Sequence, residues 1–155
     1  LPFHPLLPND SMYSVRNIRN TLKYNSEKIK IIREVELIII DEISMVRADI
    51  IDFLDKILRV YCHNMREPFG GKQLLLVGDI FQLEPVVRED DRRLLSPFYR
   101  SSFFFDAKVL EYFKLVSIEL KKVYSQSDPV FISILDHIRT SQVPMHDLQL
   151  LIQRV

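Results

Sequence analysis

Leu37-Ile38-Ile39-Ile40-Asp41-Glu42 decides how the rest of the chain is read. Four aliphatic residues in succession, three of them β-branched, form a strand expected to be buried on both faces, as in the middle of a parallel sheet. Asp41 and Glu42 follow at its C-terminal end, where an open α/β sheet gathers its ligand chemistry. The same hexapeptide also suits a strand that ends in a solvated acidic turn.

Downstream, Ile50, Ile51, Phe53, Leu54, Ile57, Leu58 and Tyr61 recur at helical spacing, which predicts an amphipathic helix over about 46–61. Gln73-Leu74-Leu75-Leu76-Val77-Gly78-Asp79 then repeats the opening design, a short aliphatic strand closed by a glycine and a carboxylate. Two strands joined by a helix make a parallel, right-handed crossover, so both carboxylate-bearing ends lie on one rim. That geometry favours the catalytic reading of the first strand. An Asp and then a Glu at the rim form the Walker B pattern: the first holds Mg²⁺ and the second polarises an attacking water. Gly71-Lys72 is no phosphate loop, because it precedes a strand, lacks the earlier glycine and is followed by Gln73. Cys62-His63-Asn64 has no second Cys or suitably spaced His nearby and reads as a loop, not a zinc site.

Upstream, residues 1–15 hold Pro2, Pro5, Pro8, Asn9 and Asp10 and form an irregular lead-in. Arg16, Arg19, Lys23, Lys28, Lys30 and Arg33 then face one acid, Glu27, in a run that reads as a solvated helix face or as a patch for phosphates. Residues 26–34 are helical, capped by Asn25 or Ser26. On the C-terminal side, 80–100 is a long connection with a mixed-charge stretch from Arg88 to Arg93. Phe103-Phe104-Phe105 are core anchors, and Asp106 caps a short helix to about Phe113. Leu115, Ile118 and Leu120 belong to a third parallel strand over 114–120. Ser127-Asp128-Pro129 gives a cap followed by proline at the first helical position, for a helix with Phe131, Ile134, Leu135 and Ile138 as its apolar stripe, and 145–154 is a last helix after Pro144.

Composition narrows the classes. Hydrophobic residues make up 47% and charged residues 27% of 155, which is globular and enough for one cored domain. Net charge is zero, so any nucleic-acid site is local. The single cysteine excludes an intrachain disulfide and fits a reducing cytosol, giving a cytoplasmic or nucleoid-associated expectation. No apolar run approaches the ~20 residues of a membrane span, and Leu1 to Pro5 lack signal-peptide character, so no membrane partner is expected.

Three ordered motifs now carry a resemblance. Leu37 through Val46 resembles motif II of Pif-type and RecD-like superfamily 1 helicases. Arg66-Glu67-Pro68-Phe69-Gly70-Gly71-Lys72-Gln73, running into Leu76-Val77-Gly78-Asp79-Ile80-Phe81-Gln82-Leu83-Glu84-Pro85-Val86, is similar to motif III. Leu120 through Asp128, then Phe131 and Ile138-Arg139, is similar to motif IV, and Leu1-Pro2-Phe3 resembles the sequence after motif Ia. The resemblance implies an α/β fold with an incomplete RecA-like P-loop NTPase core. A partial motor domain would occupy 1–139, and 140–155 would begin the connection to a second one. It implies an ATP-dependent DNA helicase moving 5′ to 3′ on single-stranded DNA and duplex junctions, in DNA repair or recombination. Asp41 would then serve Mg²⁺, Glu42 would orient the attacking water, and Gln82 and Gln126 would contact ATP. Asp79 would tie the motif III loop in place or merely cap a turn.

Three departures bear on this. No G-x-x-x-x-G-K-[ST] loop occurs in the sequence, Ser125 stands where motif IV carries arginine, and Glu84 replaces the first of two usual prolines. The family's phosphate-loop strand lies beside the strand carrying Asp79. The edge at Leu74–Val77 is therefore expected to be unpaired and open to self-association. Two other readings stay open: a non-catalytic remnant that binds DNA or protein, and a metal-dependent nuclease or phosphatase using Asp41, Glu42 and Asp79.

Overall fold

In a computed structural model of the chain, the structure describes residues 14–112, 114–120 and 128–152. Most of the proline-rich lead-in, Ser125 and Gln126 lie outside the described residues. The chain divides into two compact units, Leu1–Leu115 and Val116–Val155.

The first unit opens with α1 (Ile18–Leu22) and α2 (Ser26–Glu34). Asn25 starts α2 as expected, its side chain accepting from the Lys28 N–H at 2.9 Å. Strand β1 (Leu37–Ile40), α3 (Ala48–Tyr61) and β2 (Gln73–Leu76) complete the crossover. The two strands pair in parallel, with Leu37 opposite Gln73 and Ile40 opposite Leu76.

Two sequence-based expectations for the sheet fail. Only one face of β1 and β2 is covered: Ile38, Ile40, Leu74 and Leu76 pack on the core, whereas Ile39 is 60% and Leu75 47% exposed. Four aliphatic residues in a row state that both faces suit burial, but not what covers them. Nor is 114–120 a strand. It joins no ladder, and Val116, Ile118 and Leu120 are 87%, 82% and 87% exposed. A strand exists only with a partner, and none of the described residues offers this segment one.

The core lies beneath the covered sheet face, where Ile43, Ile51, Leu58, Phe69, Leu95 and Phe104 meet. A second cluster, Ile18, Phe53, Ile57, Val60 and Tyr61, seats α1 and α2 against α3. Asp49, Asp52 and Asp55, three residues apart on α3, are also buried. Each has partners: Arg47 forks onto Asp49 at 2.9 and 2.8 Å, and Arg59 holds Asp55 at 2.8 Å. Asp55 also accepts from the Phe69 N–H at 2.6 Å. Asp52 accepts from the Tyr99 hydroxyl (2.8 Å) and from the N–H groups of Lys108 (3.1 Å) and Val109 (2.9 Å). Burial first, then the Asp52 carboxylate, pushes the Tyr99 pKa far above its usual value and keeps that hydroxyl a donor.

Those bonds correct the expected cap at Asp106. Helix α5 (Lys108–Glu111) follows Ala107, which has no capping side chain, and Asp52 takes over the role from 56 residues away. Asp106 instead binds Arg100 at 2.7 Å and Ser101. The phenylalanine triplet splits, Phe104 buried and Phe105 46% exposed. The mixed-charge stretch is helical as well: α4 (Glu89–Leu95) has three acids in its first turn and two arginines in its last, the order a helix dipole favours.

Between α3 and β2 the chain turns sharply through Pro68–Gly71. Phe69 and Gly70 are both left-handed, with φ of 53° and 65°. Phe69 tolerates this because its ring is fully buried and its N–H is held by Asp55. At Gly70 a Cβ would meet Leu58 O at 2.7 Å. Gly70→Ala is therefore expected to cost at least about 1–2 kcal/mol from the left-handed backbone alone. The urea midpoint of the intact protein checks this, and an unchanged midpoint refutes it.

In the second unit, α6 (Pro129–Arg139) starts on Asp128, whose side chain accepts from Val130 N at 2.9 Å and Phe131 N at 3.2 Å. The cap-then-proline signal is thus realised. Helix α7 (Met145–Ile152) is held to α6 by Asp147, which is 3% exposed and lies 2.6 Å from His137 Nδ1.

Candidate functional site

At the C-terminal end of β1 the ladder departs from regularity. Val77 N–H donates to Ile40 O at 2.9 Å, as a parallel ladder requires. The next bond of a regular ladder would run from Glu42 N–H to Val77 O. Instead that carbonyl accepts from Ile43 at 3.0 Å. One residue has been added on the β1 side, which makes a bulge. Glu42 is the extra residue, left-handed at φ 51° and ψ 43°. Its displaced N–H is taken up by Asp41 Oδ1 at 2.8 Å. Bulges beside functional sites re-aim side chains. This one lifts Asp41 and Glu42 out of the pleat, and both are exposed.

Across the rim, Asp79 organises the loop after β2. Its Oδ1 accepts from Phe81 N at 3.0 Å, its carbonyl from Gln82 N at 3.1 Å, and Gln82 Nε2 lies 3.4 Å from its Oδ2. The parallel pairing therefore brings Asp41, Glu42, Asp79 and Gln82 to one edge of the sheet. Within that group Asp79 steadies the loop and Gln82. Ile80, Phe81 and Leu83 stand exposed around Gln82, while Pro85 is buried and pins the loop.

The donor set suits a hard cation. Asp41 Oδ2 accepts no hydrogen bond among the described residues, and Glu42 is equally open. No cluster of three His, Cys, Asp or Glu positioned to hold a metal occurs among them. One or two carboxylates, completed by waters and substrate phosphates, is the environment Mg²⁺ adopts in phosphoryl-transfer sites.

Sequence reasoning assigned the basic run to solvent or to phosphates, and the structure gives part of it a third use. Arg19 Nη2 donates to Val60 O and Arg33 Nε to Tyr61 O, each at 3.0 Å, closing the C-terminus of α3. Both guanidinium groups also flank the His63 ring, at 3.1 and 2.8 Å.

A profile of PIF1-like helicases matches residues 11–148. The chain belongs to the PIF1-like helicase family. Over 111 residues it is 38% identical to the ATP-dependent DNA helicase RRM3 of Saccharomyces cerevisiae, an alignment covering 72% of this chain and 14% of that protein. A Pif1 helicase from Bacteroides in complex with ADP-AlF3 and ssDNA superposes with a TM-score of 0.86 at 41% identity, over 97% of this chain and 33% of that one. Pif1 helicases at forked dsDNA match at a TM-score of 0.88 and 41% identity, with 97% and 34% covered. The RecA-like fold inferred from the PIF1-like motifs is therefore that of solved relatives, with a sheet of two strands among the described residues. The chain spans about a seventh of RRM3 and a third of the solved Pif1 chains.

Proposed function

We propose that this chain is part of the motor of an ATP-dependent DNA helicase that translocates 5′ to 3′ on single-stranded DNA and opens duplex junctions. The observation that carries the reading is the Asp41–Glu42 bulge at the C-terminal edge of a parallel strand pair, in a PIF1-like chain. Asp41 holds Mg²⁺, which neutralises phosphate charge when bound. Glu42 takes a proton from the attacking water, and Gln82, steadied by Asp79, contacts the terminal phosphate. Gln126 is a further nucleotide contact. Service in DNA repair or recombination, in the cytoplasm or at the nucleoid, belongs to the same proposal. Relatives solved with ssDNA and at forked dsDNA support the choice of partner.

ATP hydrolysis by the intact protein, stimulated by single-stranded DNA, together with strand separation on a forked duplex, tests the reading. Absence of both would leave the remnant that binds DNA or protein, which Ser125 favours. Asp79 is occupied in capping its own loop, which weakens a three-carboxylate nuclease. DNA cleavage without ATP would restore it.

The 155 residues alone are expected to bind ATP weakly, since phosphate affinity in this fold comes mainly from loop N–H groups and a lysine. Among the described residues β2 pairs with β1 alone, and Leu37, Ile39, Leu75 and Val77 leave one sheet face apolar. Self-association of the fragment follows. Micromolar binding of a non-hydrolysable ATP analogue in calorimetry, by a species that sediments as a monomer, would overturn both statements.

A further inference from the structure

Gly78 lies against the bulge that carries the two carboxylates. A Cβ built there would stand 2.9 Å from Ile43 N, 3.1 Å from Ile43 Cγ2 and 3.5 Å from the Glu42 carbonyl carbon. Gly78 is not among the positive-φ residues, so what requires a glycine there is space and not conformation. The atom met first is backbone, already fixed by its bond to Val77 O, and the Ile43 side chain is 3% exposed within the core. Neither can swing aside. Resting on the function proposed above, we infer that Gly78 is a positioning residue for Glu42: its missing side chain lets the motif III strand close against the bulge and sets where the base stands.

The mechanism is steric. A methyl group at position 78 pushes the Glu42–Ile43 peptide outward by roughly half an ångström to restore ordinary contact. Catalytic groups must be held to about that tolerance, and a 1 Å displacement costs on the order of 10²-fold. Binding of nucleotide and DNA uses other groups and is spared. Motifs II and III are thus linked through a backbone contact and not through a side-chain bond.

The test uses the intact protein and a double-mutant cycle. Gly78→Ala is expected to lower kcat for DNA-stimulated ATP hydrolysis roughly tenfold, with KM for ATP and affinity for single-stranded DNA unchanged. Placed on Glu42→Gln, where the base is already gone, the same substitution is expected to add no further loss. A normal kcat in Gly78→Ala, or an equal loss in both backgrounds, overturns the inference. If Gly78→Ala does not fold, Ile43→Ala/Gly78→Ala is compared with Ile43→Ala, which removes the Cγ2 contact and leaves the one at Ile43 N. Equal kcat in that pair overturns it as well. Near-normal turnover in Glu42→Gln alone would remove the proposed role of Glu42 and this inference together. A dead Glu42→Gln beside an unaffected Gly78→Ala would remove only the inference.

Discussion

Glu42→Gln in the intact protein is expected to cut steady-state ATP hydrolysis by about 10²-fold or more while leaving nucleotide binding intact. The substitution keeps the length and shape of the side chain and removes its capacity to accept a proton, and general-base removal commonly costs that much. Two structural facts sharpen the expectation. Glu42 is left-handed, a conformation a bulky residue keeps only when its surroundings impose it, and Gln inherits the same backbone. The bond that closes the bulge uses the Glu42 N–H and Asp41 Oδ1, so changing the Glu42 side chain does not release it. ATPase rates with saturating single-stranded DNA, beside calorimetric ATP affinity, separate loss of chemistry from loss of binding. A rate near that of the unmodified protein would exclude Glu42 as the base.

The largest stability effect is expected at Asp52. Its carboxylate serves three donors, the Tyr99 hydroxyl and the N–H groups of Lys108 and Val109. Asp52→Ala leaves all three without that acceptor, two of them buried. At about 1–3 kcal/mol for each of the two buried groups left unsatisfied, the loss is on the order of 2–6 kcal/mol, a large share of what holds an ordinary domain folded. Urea unfolding of the intact protein, followed at the transition that includes this unit, measures it. A loss below about 1 kcal/mol would show that water replaces the carboxylate at little cost.

The parts of the fold that local chemistry dictates were legible in the residues. Asn25 and Asp128 start helices because a short acceptor side chain reaches the first free N–H groups. The period of Ile50 to Tyr61 gave α3, and the two aliphatic runs gave a parallel pair with the carboxylates at one edge. What failed depended on partners. Leu37 and Ile39 read as buried, yet burial is a property of the neighbour as much as of the residue. Residues 114–120 have strand character and, among the described residues, no strand to pair with. The α4 helix is legible in the charge order of Glu89-Asp90-Asp91 before Arg92-Arg93, although the mixed charge from Arg88 to Arg93 equally suits a connection.

At the site, residue types were legible and geometry was not. Nothing in Asp41-Glu42 announces that the second residue is a bulge, because the extra residue is defined only by which carbonyl Ile43 reaches on the other strand. The buried aspartates of α3 were missed for a related reason. Hydropathy assigns Asp49, Asp52 and Asp55 to solvent, and only their partners, Arg47 and Arg59 nearby and Phe69, Tyr99, Lys108 and Val109 further along, satisfy them inside.

That acidic stripe also governs the order in which the first unit assembles. Helices usually form from local contacts within microseconds, and helix-rich chains fold fast because little loop closure precedes their packing. Here α3 cannot bury Asp52 until Tyr99 and Val109 arrive, 47 and 57 residues further along. Until then its inner face carries an unpartnered charge that keeps water against the nascent core. The return of residues 99–109 across α3 is consequently the expected slow event in folding of this unit, and Asp52→Asn is expected to change the folding rate of the intact protein in stopped-flow refolding.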